Sequence, residues 1–327
     1  LYKALEIQPN YTYGYFTVLR YYEEINNLEK LEEALDKFSK IEIIKNELFL
    51  FKARLSFRKK EFKAAKDLID SISHQWIEKS INSKRLIYWS FKGFIEDKIG
   101  NYDIAYSCFI KSQKDPKYNK FTKESYLKLI DSYQKSVRDI NIKKINDNFL
   151  DDYNLSFLIG FPRSGTTLLD TILRSHPDIE VMEEKPLIST IENLLEVKFN
   201  TKIENIYNIT NDTKMILRAK YFELLSKYID NKEKIIIDKL PLNTVSLPLI
   251  NLLFPNAKII FTHRHPYDTT LSCFQQSFDP NSAMINLVSI KSSARLYNQV
   301  MCAWDIYRTN LPIKFITSKY ENLIEDF

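Results

Sequence analysis

Short apolar runs alternating with helix-like stretches dominate the chain from Leu155 onward. Residues 155–160 (LSFLIG) form an apolar run that turns at a glycine, and residues 166–174 follow as a helix stopped by His176-Pro177. Residues 234–238 (KIIID) are a second buried-strand candidate, followed by Pro241 and an apolar helix to Phe254. A third run, AKIIFT at 257–262, precedes a helix over 267–278, and a long helix over 289–308 leads to a fourth, IKFIT at 313–317. Strand-length apolar runs separated by helical segments predict a parallel α/β sheet flanked by helices, whose ligands bind at the strands' carboxyl ends.

The first 118 residues follow a helical pattern instead. The segment YWSFKGFIEDKIGNYDIAYSCFIKSQKDPKY places Trp89, Gly93, Gly100, Tyr102, Ala105, Phe109 and Pro116 at, or within one residue of, the spacing of a tetratricopeptide repeat. Small Gly93 and Ala105 are expected to let two helices approach, with Tyr102 and Phe109 filling the groove between them. An earlier copy, FLFKARLSFRKKEFKAAKDLIDSI, aligns Ala53 with Gly93, Phe62 with Tyr102 and Ala65 with Ala105 at an offset of 40 residues. The usual period is about 34, so one helix or turn is lengthened. ALEIQPNY at residues 4–11, and Ala34 with Phe38, mark further degenerate units. A generic array of helical hairpins would give the same architecture. Residues 119–150 continue as helix-compatible polar sequence with Leu127, Ile130 and Tyr133 on one stripe. The expected organisation is therefore a tetratricopeptide-like all-α domain at 1–118, a connecting helix at 119–150 and a P-loop-like α/β domain at 151–327.

Composition narrows the classes. A chain of 327 residues allows two domains, and 44% hydrophobic with 27% charged residues is ordinary for a globular protein. The net charge of +5 leaves room for one local anion pocket and does not argue for a nucleic-acid track. Cys108, Cys273 and Cys302 show no C-x-x-C spacing and only four histidines are present, so neither a disulfide framework nor a metal centre is expected. Reduced thiols point to a cytoplasmic location. No apolar run approaches the roughly 18 residues of a membrane span; the best, at 245–254, is interrupted by Pro248. The chain starts at Leu1 and stops at Phe327 right after a strand-like run, so truncation at both ends is expected.

The chemistry concentrates in FLIGFPRSGTTLL, residues 157–169. Gly160, four residues and Gly165 match the frame of a phosphate-binding loop, G-x-x-x-x-G-K-[ST], but Thr166-Thr167 follow with no lysine, and Arg163 sits inside the loop. Two of the chain's five glycines bracket this one turn. A helix opening at Thr166 would aim free N–H groups and its positive end at one spot, an anion site. A triphosphatase neutralises its β/γ-phosphates with the missing lysine and magnesium. A transferable group with fewer ionisable oxygens, such as a sulfuryl group, can do without both.

FLIGFPRSGTTLLDTILRSHP resembles the 5′-phosphosulfate loop of sulfotransferases that use 3′-phosphoadenosine 5′-phosphosulfate (PAPS), in particular bacterial tetratricopeptide-containing members and the tyrosylprotein sulfotransferases. That resemblance implies that Arg163, Ser164, Gly165, Thr166 and Thr167 hold the phosphosulfate. Within HRHPYDTTLSCF, Arg264 and Ser272 match the pair that holds the 3′-phosphate, which ATP lacks. In MEEKP, Glu184 lies 21 residues past Arg163 and matches the catalytic base, with Glu183 beside it. In DKLPLNT, Lys239 matches the lysine that stabilises charge on the bridging oxygen, with Arg163 assisting. In KYENLIED, Tyr320 is expected to line the site. The chain departs from the tyrosylprotein group at Gln276, where a basic residue is usual, and His263 and His265 flank Arg264 in positional roles. Late elements that close over the nucleotide would lie beyond Phe327.

The resemblance covers about residues 155–327 for the enzyme domain and 1–118 for the repeats. It implies PAPS as co-substrate, no metal, and a hydroxyl acceptor: peptide tyrosine, a glycan or a small alcohol, with the repeats tilting the choice toward a peptide or polysaccharide. Two other readings stay open from the residues. Asp238 after IIID would serve a magnesium-dependent P-loop kinase as its Walker-B aspartate. Alternatively the repeats bind a protein partner beside an inactive enzyme domain.

Overall fold

The computed structural model describes residues 2–138, 154–229, 231 and 233–326. Residues 139–150 of the expected connecting helix, and 151–153 and 327 of the expected α/β domain, lie outside the described residues. The chain divides into two compact units, one of Leu1–Asn119 with Gln275–Pro280, the other of Lys120–Phe274 with Asn281–Phe327.

The first unit is helical: α1 (Tyr2–Ile7), α2 (Thr12–Glu24), α3 (Leu28–Phe38), α4 (Lys45–Arg58), α5 (Phe62–Asp70), α6 (His74–Lys79), α7 (Asn82–Lys98) and α8 (Tyr102–Ser112). Neighbours pair as hairpins, α2 with α3, α4 with α5 and α7 with α8. Ala53 and Ala65 are fully buried between α4 and α5, as Ala105 is on α8, where Gly93 lies against the Phe109 ring. The 40-residue offset between the two copies has a structural source: α6, capped by the Ser73 side chain, is inserted between one hairpin and the next. Tyr102 departs from expectation. It opens α8 as a residue 69% exposed, leaving the groove contact to Phe109.

The second unit contains α9 (Lys123–Arg138), β1 (Asn154–Gly160), α10 (Thr166–Arg174), β2 (Ile179–Glu183), α11 (Leu187–Phe199), α12 (Asn211–Leu225), β3 (Ile235–Lys239), α13 (Leu247–Leu253), β4 (Lys258–His263), α14 (Pro266–Gln275), α15 (Ile290–Asn310), β5 (Lys314–Lys319) and α16 (Tyr320–Glu325). Its five strands are parallel, in the order β2-β3-β1-β4-β5. The apolar runs foretold β1, β3, β4 and β5. They did not show β2, an edge strand with only Val181 and Met182 buried, whose sequence IEVME therefore lacks a continuous apolar signal. The stripe of Leu127, Ile130 and Tyr133 on α9 is buried within this unit, and the Tyr133 hydroxyl donates to Glu192 Oε1 on α11 at 2.6 Å. No helix among the described residues is long and apolar enough to cross a membrane.

Strand alternation sorts the neighbours of β3 onto two faces. Ile237 packs with Leu158 and with Leu169 and Leu173 of α10, so Asp238 faces the other way, where its Oδ2 accepts from the Tyr221 hydroxyl of α12 at 2.8 Å. The aspartate that a Walker-B reading requires is thus engaged on the sheet face opposite α10. Burial pushes its carboxyl up to about 7, against the smaller lowering effect of Tyr221. A raised carboxyl pKa means the folded protein holds a proton that the unfolded chain releases near pH 4. Its contribution to stability is therefore full below about pH 4 and lost as pH rises through about 7. Asp238→Asn, which keeps an acceptor for Tyr221, should flatten that dependence: thermal melts at pH 5 and pH 8 should differ less for the variant than for the parent.

Candidate functional site

The loop after β1 is shaped by close contacts before any ligand enters. A Cβ at Gly160 would come within 2.5 Å of both the carbonyl and the hydroxyl oxygen of Thr262, so the approach of β1 to β4 excludes a side chain there. The Thr244 hydroxyl donates to the Gly160 carbonyl (2.8 Å), the Ser164 and Thr262 hydroxyls share a hydrogen bond (2.9 Å), and the Cys273 thiol donates to the Pro162 carbonyl (3.2 Å). Burial pushes that thiol up to about 12, which keeps it a neutral donor. Arg163 adopts φ +68 and Gly165 φ +96, the left-handed region that glycine enters cheaply.

Gly165 is the N-cap of α10, and no side chain caps that helix. Helix geometry leaves its first-turn amides without intrahelical partners, so the end of α10 presents unpaired N–H groups and the positive pole of the dipole. Thr166 is buried at this end and Thr167 exposed. Ser164 is buried, with its amide bonded to the Phe161 carbonyl and its hydroxyl to Thr262.

The motif after β4 meets this loop. Arg163 Nε donates to Ser272 Oγ at 3.1 Å. The Arg264 guanidinium lies 4.6 Å from the centroid of the Tyr320 ring, and a Cβ on Gly165 would reach within 2.5 Å of that same ring. Arg163, Gly165, Arg264, Ser272 and Tyr320 therefore form one continuous set. Arg264 makes a 3.8 Å ion pair with Asp268, but its buried Nε has no hydrogen-bond partner. An uncapped helix end beside a buried guanidinium N–H in want of an acceptor fits a ligand carrying two anionic groups.

At the adjacent strand ends lies a second cluster. Extended backbone would send Glu183 and Glu184 to opposite faces. Glu184 instead takes φ +50, its amide donating to the Lys239 carbonyl at 2.8 Å. Both carboxylates then accept from the same ammonium, Lys239 Nζ, Glu183 at 3.1 Å and Glu184 at 2.9 Å. Lys239 is fully buried; burial alone would lower its pKa, but the bonds to Glu184 and Glu183 outweigh it, so the ammonium is held above its usual value.

Sequence reasoning missed the outer ring of this cluster. Arg174 forks onto Asp170 (2.5 and 2.9 Å) and reaches Glu183 Oε2 (3.2 Å), while Asp170 Oδ2 sits 3.7 Å from Lys239 Nζ. The available signal was the i,i+4 spacing of Asp170 and Arg174 on the helix that the loop opens.

A profile described as the Sulfotransferase family matches residues 156–327. The chain belongs to the sulfotransferase family. Among its relatives, human protein-tyrosine sulfotransferase 1 is 32% identical over 118 residues, covering 35% of this chain and 32% of that protein. The nodulation protein NoeE of Sinorhizobium fredii is 30% identical over 129 residues, covering 35% of this chain and 29% of its own length. An uncharacterized protein of Aquifex aeolicus is 35% identical over 129 residues, 37% of this chain and 17% of that protein. The chain thus spans less than a third of the length of these relatives. The matched region holds the whole parallel sheet except the first two residues of β1, together with the glycine-bracketed loop, the Arg264–Ser272 segment and the Lys239 cluster.

Proposed function

We propose that the protein transfers the sulfuryl group of PAPS to an acceptor hydroxyl without a metal. The observation that carries this reading is the contact of Arg163 with Ser272, joined through Gly165 and Tyr320 to Arg264: two motifs 109 residues apart, one suited to a 5′-phosphosulfate and one to a 3′-phosphate, share one surface. The first-turn amides of α10, with Thr166, Thr167 and Arg163, would hold the phosphosulfate, Ser164 would set the loop's shape and contribute to that pocket, and Arg264 with Ser272 would hold the 3′-phosphate. Tyr320 would line the site. PAPS supplies the activated sulfuryl group.

In this reading Glu184 takes the acceptor hydroxyl's proton, a task suited to a carboxylate at the mouth of the cluster. Lys239, kept charged by its carboxylate partners, offers an ammonium where negative charge develops on the leaving side, with Arg163 sharing that load. Asp238 lies on the sheet face opposite α10 and bonds Tyr221 through Oδ2, a placement that disfavours a kinase reading. A relative named protein-tyrosine sulfotransferase supports a peptide tyrosine as acceptor, with a glycan hydroxyl as the alternative. We assign the helical hairpins of residues 1–118 to a tetratricopeptide-like module that binds a peptide or protein partner, and place the protein in the cytoplasm on its free thiols Cys108, Cys273 and Cys302.

The test is a discontinuous assay with PAPS and a panel of tyrosine peptides, oligosaccharides and small alcohols, read as release of adenosine 3′,5′-bisphosphate. Acceptor-dependent release that persists with EDTA supports the reading; consumption of ATP with magnesium, and none of PAPS, contradicts it.

A further inference from the structure

The start of α16, directly after β5, touches both arms of the proposed nucleotide site through two consecutive residues. Tyr320 lies between Gly165 and the Arg264 guanidinium. Its neighbour Glu321 accepts through Oε1 from the backbone N–H of His265 at 2.8 Å. That amide belongs to the residue directly after Arg264 and directly before α14, the helix that carries Ser272. A carboxylate on this amide therefore holds the turn between the two side chains assigned to the 3′-phosphate. The bond to His265 also holds the Glu321 carboxyl below its usual range, so it remains an anion.

Three features argue that this contact does more than close a loop. The bond links residues 56 apart and joins α16 to the exit of β4, so nothing local in the chain replaces it. Arg264 Nε is buried without a partner, which leaves the aim of the guanidinium to Tyr320, Asp268 and the backbone that Glu321 fixes. Glu321 Oε2 is likewise buried without a hydrogen bond, so the bond across the turn is the one that Oε1 makes with the His265 amide.

We propose that Glu321 is a positioning residue for recognition of the ribose 3′-phosphate: it touches no part of the donor and acts through the His265 amide on the aim of Arg264 and Ser272. This rests on the PAPS reading above. Loss of this charge-assisted hydrogen bond is expected to weaken bisphosphate binding roughly tenfold or more. The effect falls on one phosphate and not the other, because the α10 amides and the loop around Gly165 are built from β1, Thr244, Thr262 and Cys273 without Glu321.

Calorimetric titration of the full chain with adenosine 3′,5′-bisphosphate and with adenosine 5′-monophosphate separates these roles. The parent protein should prefer the bisphosphate. Glu321→Ala should weaken bisphosphate binding about tenfold or more while changing monophosphate binding less than twofold. Glu321→Gln, whose amide oxygen can still accept from His265, should recover most of the preference. An alanine variant that keeps the parent's preference overturns this inference and leaves the donor reading intact. Equal weakening of both nucleotides in both variants, with lowered melting temperature, also overturns it by showing a merely structural contact. A parent protein with no preference between the two nucleotides overturns the donor reading and this inference together.

Discussion

Replacing Glu184 by glutamine is expected to lower turnover by a factor of about 10² to 10⁴, the usual weight of a positioned general base. Binding of adenosine 3′,5′-bisphosphate should change little, because Glu184 stands with Lys239 at the ends of β2 and β3, apart from the Arg163, Ser272, Arg264 and Tyr320 contacts. The geometry also separates the two adjacent glutamates. Glu183 has both carboxylate oxygens engaged, Oε1 by Lys239 and Oε2 by Arg174, whereas Glu184 is bonded through Oε1 to Lys239. Glu183→Gln should accordingly cost less activity than Glu184→Gln. The strained left-handed backbone at Glu184 points the same way, since positive φ at a non-glycine residue costs of order 1–3 kcal/mol and persists where the surrounding structure enforces it. Steady-state kinetics of the two variants beside bisphosphate titrations checks this; equal losses in both would reassign the base.

Substitution of Lys239 by methionine, close in shape but uncharged, should damage both stability and catalysis. The ammonium is the shared counter-ion of Glu183, Glu184 and Asp170, and of these only Asp170 and Glu183 also pair with Arg174. Removing one member of a buried charge set costs about 3–5 kcal/mol. Glu183 and Glu184 are about half exposed, so water takes up part of that cost, and roughly 2–3 kcal/mol is the expected net loss. Loss of a donor aimed at developing charge should add a fall of about 10² to 10³ in turnover. Urea unfolding at low and at high ionic strength tests the electrostatic origin: the deficit should shrink in high salt, which screens the repulsion among the partly exposed carboxylates. A deficit independent of salt would point to packing instead.

Much of this was legible in the sequence because the signals were local. The loop from Gly160 to Thr167 announced itself through glycine placement in a glycine-poor chain, and the apolar runs of β1, β3 and β4 are continuous because those strands are buried. β2 escaped notice since an edge strand needs no such run. The Asp170–Arg174–Glu183 ring and the Glu321 contact were not legible, because each depends on distant segments meeting in space: β2 beside β3, and α16 beside the exit of β4. Tyr102 shows the converse failure, a residue at the expected repeat spacing that is exposed to solvent.

The central claim is that one surface of the α/β unit grips a nucleotide at both its 5′ and 3′ anionic groups. Titrating the protein with adenosine 3′,5′-bisphosphate and, separately, with ATP and magnesium tests it most directly. The account predicts saturable bisphosphate binding that is unaffected by EDTA and abolished by Arg264→Ala, with ATP binding far weaker. Tight magnesium-dependent ATP binding, indifferent to the 3′-phosphate and to Arg264, would contradict it.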